Sequence, residues 1–319
     1  MKNARRQEQV SPRSIAVVIA VLLGALVVYF ILTISGVALP TRISAMIVGD
    51  PMVIWSCNTK DDTCAVISAP PSYVVDAIHG YGHYSLASLF QLGIIDKRNG
   101  SLVAESLGDT VGIITPWYID VGRTSLSRIA SPVTFGRSVF SWGSVISFLF
   151  HPYDTNMPIP VFIAFVRELT RIPINQITPV DLSTVPVTSE VTQPDGTKQE
   201  VIDPAQVDLT FHNVVEDENV RREGTTVAIY NTTQTPGLGN RAARFLSAGG
   251  ALVVAVANEN TERAGCTLTG SSNALSSKTA AFTQELFHCK TFLSTQSVRA
   301  DLSLRLGTDF AERYEPLVH

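Results

Sequence analysis

The sequence predicts an α/β protein of the α+β kind: an N-terminal transmembrane helix, a mixed α/β domain, then a small split βαβ domain. Three observations carry this. Ile15–Leu39 is a run of 25 residues without a charge, and a helix needs about 20 apolar residues to span a bilayer. After it, short strand-like and helix-like stretches alternate, punctuated by glycine and proline. Near the C-terminus, Val227–Val256 (VAIYNTTQTPGLGNRAARFLSAGGALVVAV) reads as strand, glycine loop, helix and strand, and an alternating ADLSLRLG follows at Ala300–Gly307.

The anchor comes first. Residues 1–14 carry Lys2, Arg5, Arg6 and Arg13 against Glu8, a balance of +3. Positive charge stays in the cytoplasm, so residues 1–14 form a cytoplasmic tail, residues 15–39 span the cell membrane once, and the bulk of the chain is extracytoplasmic. A cleaved signal peptide is the rival, with Gly36–Ala38 as a small-residue site; its apolar core is usually about 7–15 residues, far shorter than this run. Of the chain's −4, the part after the anchor holds −7. An acidic exterior is a poor partner for nucleic acid. Cys57, Cys64, Cys266 and Cys289 all follow the span. They are candidates for disulfides, Cys57 with Cys64 across a hairpin and Cys266 with Cys289, against the alternative of four buried thiols. Zinc is not indicated: there is no CxxC, and His288 adjoins Cys289 instead of standing at ligand spacing.

Residues 43–183 are expected to form the mixed domain. MVIW and AVIS flank the polar NTKDDT as a hairpin, helices follow at about 86–92 and 101–111, a strand at 117–121 and a helix at 161–169. Val139–Phe150 (VFSWGSVISFLF) is too short to span and reads as a buried core helix. Residues 184–224 lack a large apolar cluster and read as a hairpin around PDGT plus a linker. From 225 to 310, Thr235 is the expected cap of a helix whose Leu238, Ala242, Phe245 and Leu246 form one apolar face, ended by Gly249 and Gly250. Ser277 caps a second helix. The expected result is a small sheet with two helices on one face, and 311–319 is a tail.

The glycine loop NTTQTPGLGNR is not a phosphate loop. A Walker loop needs GxxxxGK and a dinucleotide turn GxGxxG; Ala242 stands at the third glycine, no lysine is in place, and Pro236 removes a backbone donor.

The same stretch resembles the C-terminal domain of LytR-type cell-envelope proteins. That family has a strand ending in Asn-Gly-Thr, then Pro-Gly-Leu-Ala and a helix, and closes with Ala-Asp-Ile and Leu-Gly-x-Asp-Phe. Here NTT, PGLG and ADLSLRLGTDF occupy those places, with Thr232 and Gly239 as departures. More faintly, VGDPMVIWSCN, AVISAPPSYVV and GSLVAESLGDTVGIITPWYIDV resemble strands and a helix of the LytR-CpsA-Psr (LCP) catalytic domain. That resemblance implies magnesium-dependent transfer of a glycopolymer from polyprenyl pyrophosphate to peptidoglycan. It also implies arginines on the pyrophosphate and acids on the metal. Asp50 matches one such acid. The upstream Gly-x-Asp motif has no counterpart, Pro71 and Ser72 replace the second strand's Arg-Asp pair, and Arg123, Arg128 and Arg137 are only isolated candidates for the arginine cluster.

The ligand-binding candidates are therefore Asp50, Arg123 and Arg128, the arginines read alternatively as solvated surface charges. Tyr81 and Tyr84, in HGYGHYS, are candidates for stacking on sugars, read alternatively as aromatic packing. Gly80 and Gly82 argue against a helix placing His79 and His83 as a metal pair. The expected function is a membrane-anchored envelope protein without catalytic residues, cofactor or metal, which binds or scaffolds wall glycan, carrier lipid or a partner. The alternative is the LCP-type phosphotransferase, with magnesium.

Overall fold

The computed structural model describes residues 40–125, 131–150, 154–192, 196–211, 214–294 and 300–315. The expected tail 1–14, the anchor 15–39 and Arg128 lie outside the described residues. Among the described residues no helix is long and apolar enough to cross a membrane.

Strands β1 (Arg42–Asp50), β2 (Met52–Asn58) and β3 (Thr63–Ala69) form an antiparallel meander. It is followed by β4 (Val74–Ala77), β5 (Gly82–Ser85), helices α1 (Leu86–Ile95) and α2 (Gly100–Thr110), and β6 (Trp117–Ser125). Helices α3 (Pro132–Val139) and α4 (Trp142–Phe150), β7 (Asp154–Thr155), α5 (Ile159–Arg171) and β8 (Ile177–Asp181) complete a six-stranded sheet of order β7-β6-β1-β2-β3-β8.

The alternation of β1–β3 sorts the core into two layers. Ile43, Ile47, Trp55 and Val66 face α3–α5, where Phe140, Phe162 and Phe165 cover Trp55 and its neighbours. Met46, Ile54 and Ile67 face α1 and α2, meeting Leu89, Leu102 and Leu107. Because both faces are covered, β2 is buried along its whole length. The reading of Val139–Phe150 as one buried helix is corrected: the chain breaks after Val139, and Trp142 and Ile146 are 50% and 61% exposed. Burial there follows one stripe, Val145 and Phe148, so the helix is amphipathic.

The segment read as hairpin and linker does form a hairpin, β9 (Thr188–Thr192) and β10 (Lys198–Ile202). It is also structural. Strand β10 pairs in parallel with β4, giving a second sheet of order β5-β4-β10-β9. Val187, Ile202, Val207 and Phe211, the last two from α6 (Pro204–Phe211), enter the α1–α2 core.

After α7 (Glu218–Glu223), Gly224 turns the chain at φ 65°. Next come β11 (Thr226–Asn231), α8 (Leu238–Ala248), β12 (Leu252–Asn258), β13 (Thr267–Gly270), α9 (Ser272–Leu275), α10 (Lys278–Phe287), β14 (Lys290–Leu293), β15 (Leu302–Leu306) and α11 (Thr308–Ala311). The sheet order is β12-β11-β15-β13-β14. Two parallel βαβ units, β11-α8-β12 and β13-α10-β14, stand side by side with β15 between them. Leu238, Ala242, Phe245 and Leu246 of α8 and Phe282 and Phe287 of α10 share one core with Leu302, Leu304 and Leu306.

Ser277 caps α10 by accepting from the Ala280 N–H, as expected. Thr235 does not cap α8: Gly237, at φ 75°, takes that position. The preceding loop is held by Asn231 instead. Its Oδ1 accepts from Thr233 N–H at 3.0 Å and its Nδ2 donates to the Thr235 carbonyl at 2.9 Å. The glycine loop is thus a turn closed on itself, and Asn231 is buried. Both disulfides are present, Cys57–Cys64 across β2–β3 and Cys266–Cys289 ahead of β13 and β14.

Candidate binding site at the junction of the two units

The residues singled out in the sequence do not converge. Asp50 is exposed at the end of β1, in register with Ser125 of β6, the strand that also carries Arg123. Tyr84 lies on β5 of the second sheet and Tyr81 in the turn just before that strand. The Tyr81 hydroxyl donates to Asp96 Oδ2, and burial together with that carboxylate pushes its pKa up to about 12. Its ring packs against the α1–α2 core. Tyr84 is 39% exposed, opposite Val75. Pro71 and Ser72 sit in a turn closed by Tyr73 N–H on the Pro70 carbonyl, and the Pro71 carbonyl accepts from Ala87 in the first turn of α1. The Pro71 carbonyl thus satisfies an orphan helix donor, a backbone role that does not depend on the side chains at 71 and 72.

His79 and His83 have separate surroundings. His79 is buried, at φ 61°, with Nδ1 3.2 Å from the Glu315 carbonyl and Nε2 without a partner among the described residues. Burial and the nearby Arg98 lower its pKa. His83 is exposed on β5. Among the described residues no group of three His, Cys, Asp or Glu is placed to hold a metal ion.

The polar side chains that do converge lie where the C-terminal unit meets the first. Asp109, at the end of α2, is 8% exposed. Its Oδ2 accepts from Arg241 at 2.5 Å and its Oδ1 from the Tyr314 hydroxyl at 2.9 Å. The Arg241 guanidinium lies 4.6 Å from the centre of the Tyr314 ring, a cation–π contact. Burial and the Asp109 charge raise the Tyr314 pKa, so the phenol stays a donor. One turn along α8, Arg244 donates to the Asp109 and Thr110 carbonyls and forms an ion pair with Asp208 at 2.7 Å. A helix ends with unpaired carbonyls and partial negative charge, and a guanidinium there answers both.

Further ties run alongside. Asn58 donates to Asp217, Asn219 donates to Asp61, and Glu285 accepts from both the Thr41 N–H and its hydroxyl. Residues read as a tail therefore include Tyr314, which packs against both cores.

Between the two units lies a cleft of 360 Å³. Ile113, Ile114 and Trp117 form one wall, and Phe245, Phe282 and Phe310 the other, with Arg42 and Arg313 among the lining residues. None of Asp50, Tyr81 and Tyr84 lines it. Sequence reasoning missed Asp109, Arg241, Arg244 and the cleft. The only local signal was a basic pair at i, i+3 on the polar side of an amphipathic helix.

The family model described as LytR cell envelope-related transcriptional attenuator matches residues 224–310, the whole β11–β15 sheet. This segment is a LytR_C domain. The LytR_C domain thus supplies Arg241, Arg244, Phe245, Phe282 and Phe310 to the junction. No curated protein matches the chain. Among solved structures, it is similar to TagV of B. subtilis at 10% identity, covering 54% of this chain and 95% of that one, with a TM-score of 0.38. Lin1025 of Listeria innocua gives the same identity, coverage and score. The LytR-CPS2A-psr family protein YwtF (TagT) of Bacillus subtilis, with bound octaprenyl pyrophosphate lipid, gives 13% identity, 53% and 87% coverage and a TM-score of 0.34. At these values the likeness decides no question of chemistry.

Proposed function

We propose that the chain is a membrane-anchored cell-envelope protein, extracytoplasmic from about residue 40, that binds or scaffolds wall glycan, carrier lipid or a partner without transferring glycopolymer. The observation that carries the reading is the junction: the LytR_C domain is tied to the preceding unit through Asp109, so the cleft between them belongs to neither alone. The LytR_C match supports the envelope setting, and two disulfides suit an oxidising compartment.

Against transfer stands the chemistry of the residues. Pyrophosphate needs cations to neutralise it and a metal to stabilise the leaving group. Pro71 and Ser72 offer no cation, and among the described residues Asp50 belongs to no group of three His, Cys, Asp or Glu placed to hold a metal ion. One observation favours the alternative, LCP-type phosphotransfer: Asp50 and Arg123 come from neighbouring strands near the same end of the first sheet.

The test uses the full chain in nanodiscs. Cosedimentation with purified peptidoglycan sacculi is expected. Phosphate release from a short polyprenyl pyrophosphate with magnesium is expected to be absent. Magnesium-dependent turnover that disappears in Asp50→Ala would replace this reading with the alternative.

A further inference from the structure

The charged side chains of the cleft between the units balance in number but not in hydrogen-bond partners. Four ionisable side chains from three stretches of chain line it besides His288: Arg42, Glu285, Asp309 and Arg313. The acids are occupied. Glu285 accepts from the Thr41 N–H at 2.7 Å and the Thr41 hydroxyl at 3.0 Å, one on each oxygen. Asp309 accepts from the Cys266 and Phe310 N–H groups, again one on each. The arginines have fewer partners. Arg42 donates to the Ser56 hydroxyl at 3.2 Å and forms no ion pair among the described residues, although Asp217 and Asp61 act on it from further off. Arg313 has no hydrogen bond or ion pair among the described residues. A guanidinium stays charged at neutral pH, and one packed against apolar walls needs a counter-charge. Burial, working against those two carboxylates, lowers the Arg42 pKa to about 10.

Apart from Ser44 the rest of the lining is apolar, with Trp117, Phe245, Phe282, Phe287 and Phe310 as its aromatic side chains. A volume of 360 Å³ holds about a dozen groups of roughly 30 Å³ each. That is one modest alkyl chain, much less than a long carrier lipid. Pro40 also lines the cleft, and it directly follows the uncharged run Ile15–Leu39. On the anchor reading, the cleft opens where the chain leaves the bilayer.

We propose that this cleft binds an anionic amphiphile, a single alkyl chain of about a dozen carbons lying along Phe245, Phe282 and Phe310 with its phosphate or carboxylate head on Arg42 and Arg313. The ligand class deepens the reading of the junction as a binding site and rests on it. The source is either an acidic membrane lipid or a free alkyl acid, which share this chemistry.

The experiment is displacement of a fluorescent dodecanoate analogue from the full chain in phosphatidylcholine nanodiscs. Dodecyl phosphate and dodecanoate are expected to displace it at least ten-fold better than dodecanol, since a charged hydrogen bond typically carries that much. Arg313→Gln is expected to remove about ten-fold of the preference, and Arg42→Gln a similar factor. Leu286→Trp, which fills the cleft, is expected to abolish binding of acid and alcohol alike. Nanodiscs containing phosphatidylglycerol displacing the probe assign the lipid source; phosphatidylglycerol without effect assigns the free acid. Equal displacement by dodecanol, displacement by inorganic phosphate alone, or no probe binding by a chain with an unchanged melting temperature would each overturn the proposal. Sacculi cosedimentation is measured on the same preparation, so loss of the wall-binding reading shows separately.

Discussion

Asp109 and Tyr314, 205 positions apart, share a hydrogen bond of 2.9 Å that joins the end of a helix in the first unit to the residues following the LytR_C sheet. The bond leaves room on the same carboxylate for Arg241, and the arginine in turn covers the phenol ring. Each of the three groups is therefore positioned by the other two, and such networks are worth more than their pairs.

Tyr314→Phe removes one hydrogen bond and keeps the ring under Arg241. It is expected to cost about 1 kcal/mol. Asp109→Ala removes both acceptors and is expected to cost about 2 kcal/mol or somewhat more. The full penalty of a broken buried pair is not reached, because Arg241 keeps 35% of its side chain in water. Urea unfolding of the two variants and their combination checks this; strictly additive losses would show that the network does not act as a unit.

Acid should loosen the same region through His79. Burial, then Arg98, holds its pKa below the ordinary 6.5, while the Glu315 carbonyl works the other way and Arg313 adds to the lowering. The unfolded chain therefore binds this proton more readily than the folded one. The stabilisation is complete above pH 6.5 and declines as pH falls from there to the lowered folded value. Melting temperatures at about pH 7.5 and 5.5 should differ more in the wild type than in His79→Asn, a residue that tolerates the positive φ. The carboxylates Asp301 and Glu223 also lose stabilisation in acid. Thr226 lowers the first, and N–H donors from Thr279 and Lys278 outweigh burial at the second. Their losses fall in more acidic solution, since an unfolded carboxylate titrates near 4.

The disulfides should differ in weight. Cys266–Cys289 closes 23 residues and Cys57–Cys64 only 7. Loop-closure entropy gives about 3.4 and about 2.4 kcal/mol respectively. Paired alanine variants, compared by denaturant midpoint, are expected to rank in that order; the reverse would mean that hairpin pairing depends on its bridge.

Gly136 brings α3 close against Trp55 of β2. A Cβ there would overlap the indole at Nε1 and the ring carbons beside it. Gly136→Ala is expected to cost about 1–3 kcal/mol by overpacking and to alter the near-UV circular dichroism of the indole. An unchanged melting curve would show that α3 can lift away without loss.

Much of the fold was legible where one element buries one stripe. The apolar face of α8, the Ser277 cap, the β2–β3 hairpin and its bridge all follow from short-range pattern. What failed was decided at a distance. The 188–202 hairpin is legible from PDGT, but its largely exposed strands give no sign that β10 pairs with β4, more than a hundred residues earlier. Strands β13 and β14 have four residues each, too few for a period to register. Thr235 lost the cap because Asn231 had already closed the turn on itself. The candidate site suffered most. Its cleft draws on β1, the loop after α2, and the helices of the LytR_C domain, and no local motif spans such a set.

The place of β15 has a consequence for how the protein is made. Among the described residues, the strand that joins the two βαβ units is the last to be synthesised. Until residue 306 is available, β11 and β13 each present an open edge to whatever is nearby, and the halves have nothing to hold them in one sheet. A ribosome or a translocation channel would therefore deliver this domain as two unjoined pieces that become one only at the finish. The chain would need protection in that interval, and a stop codon a few residues before Leu302 would remove the whole domain and not merely shorten it.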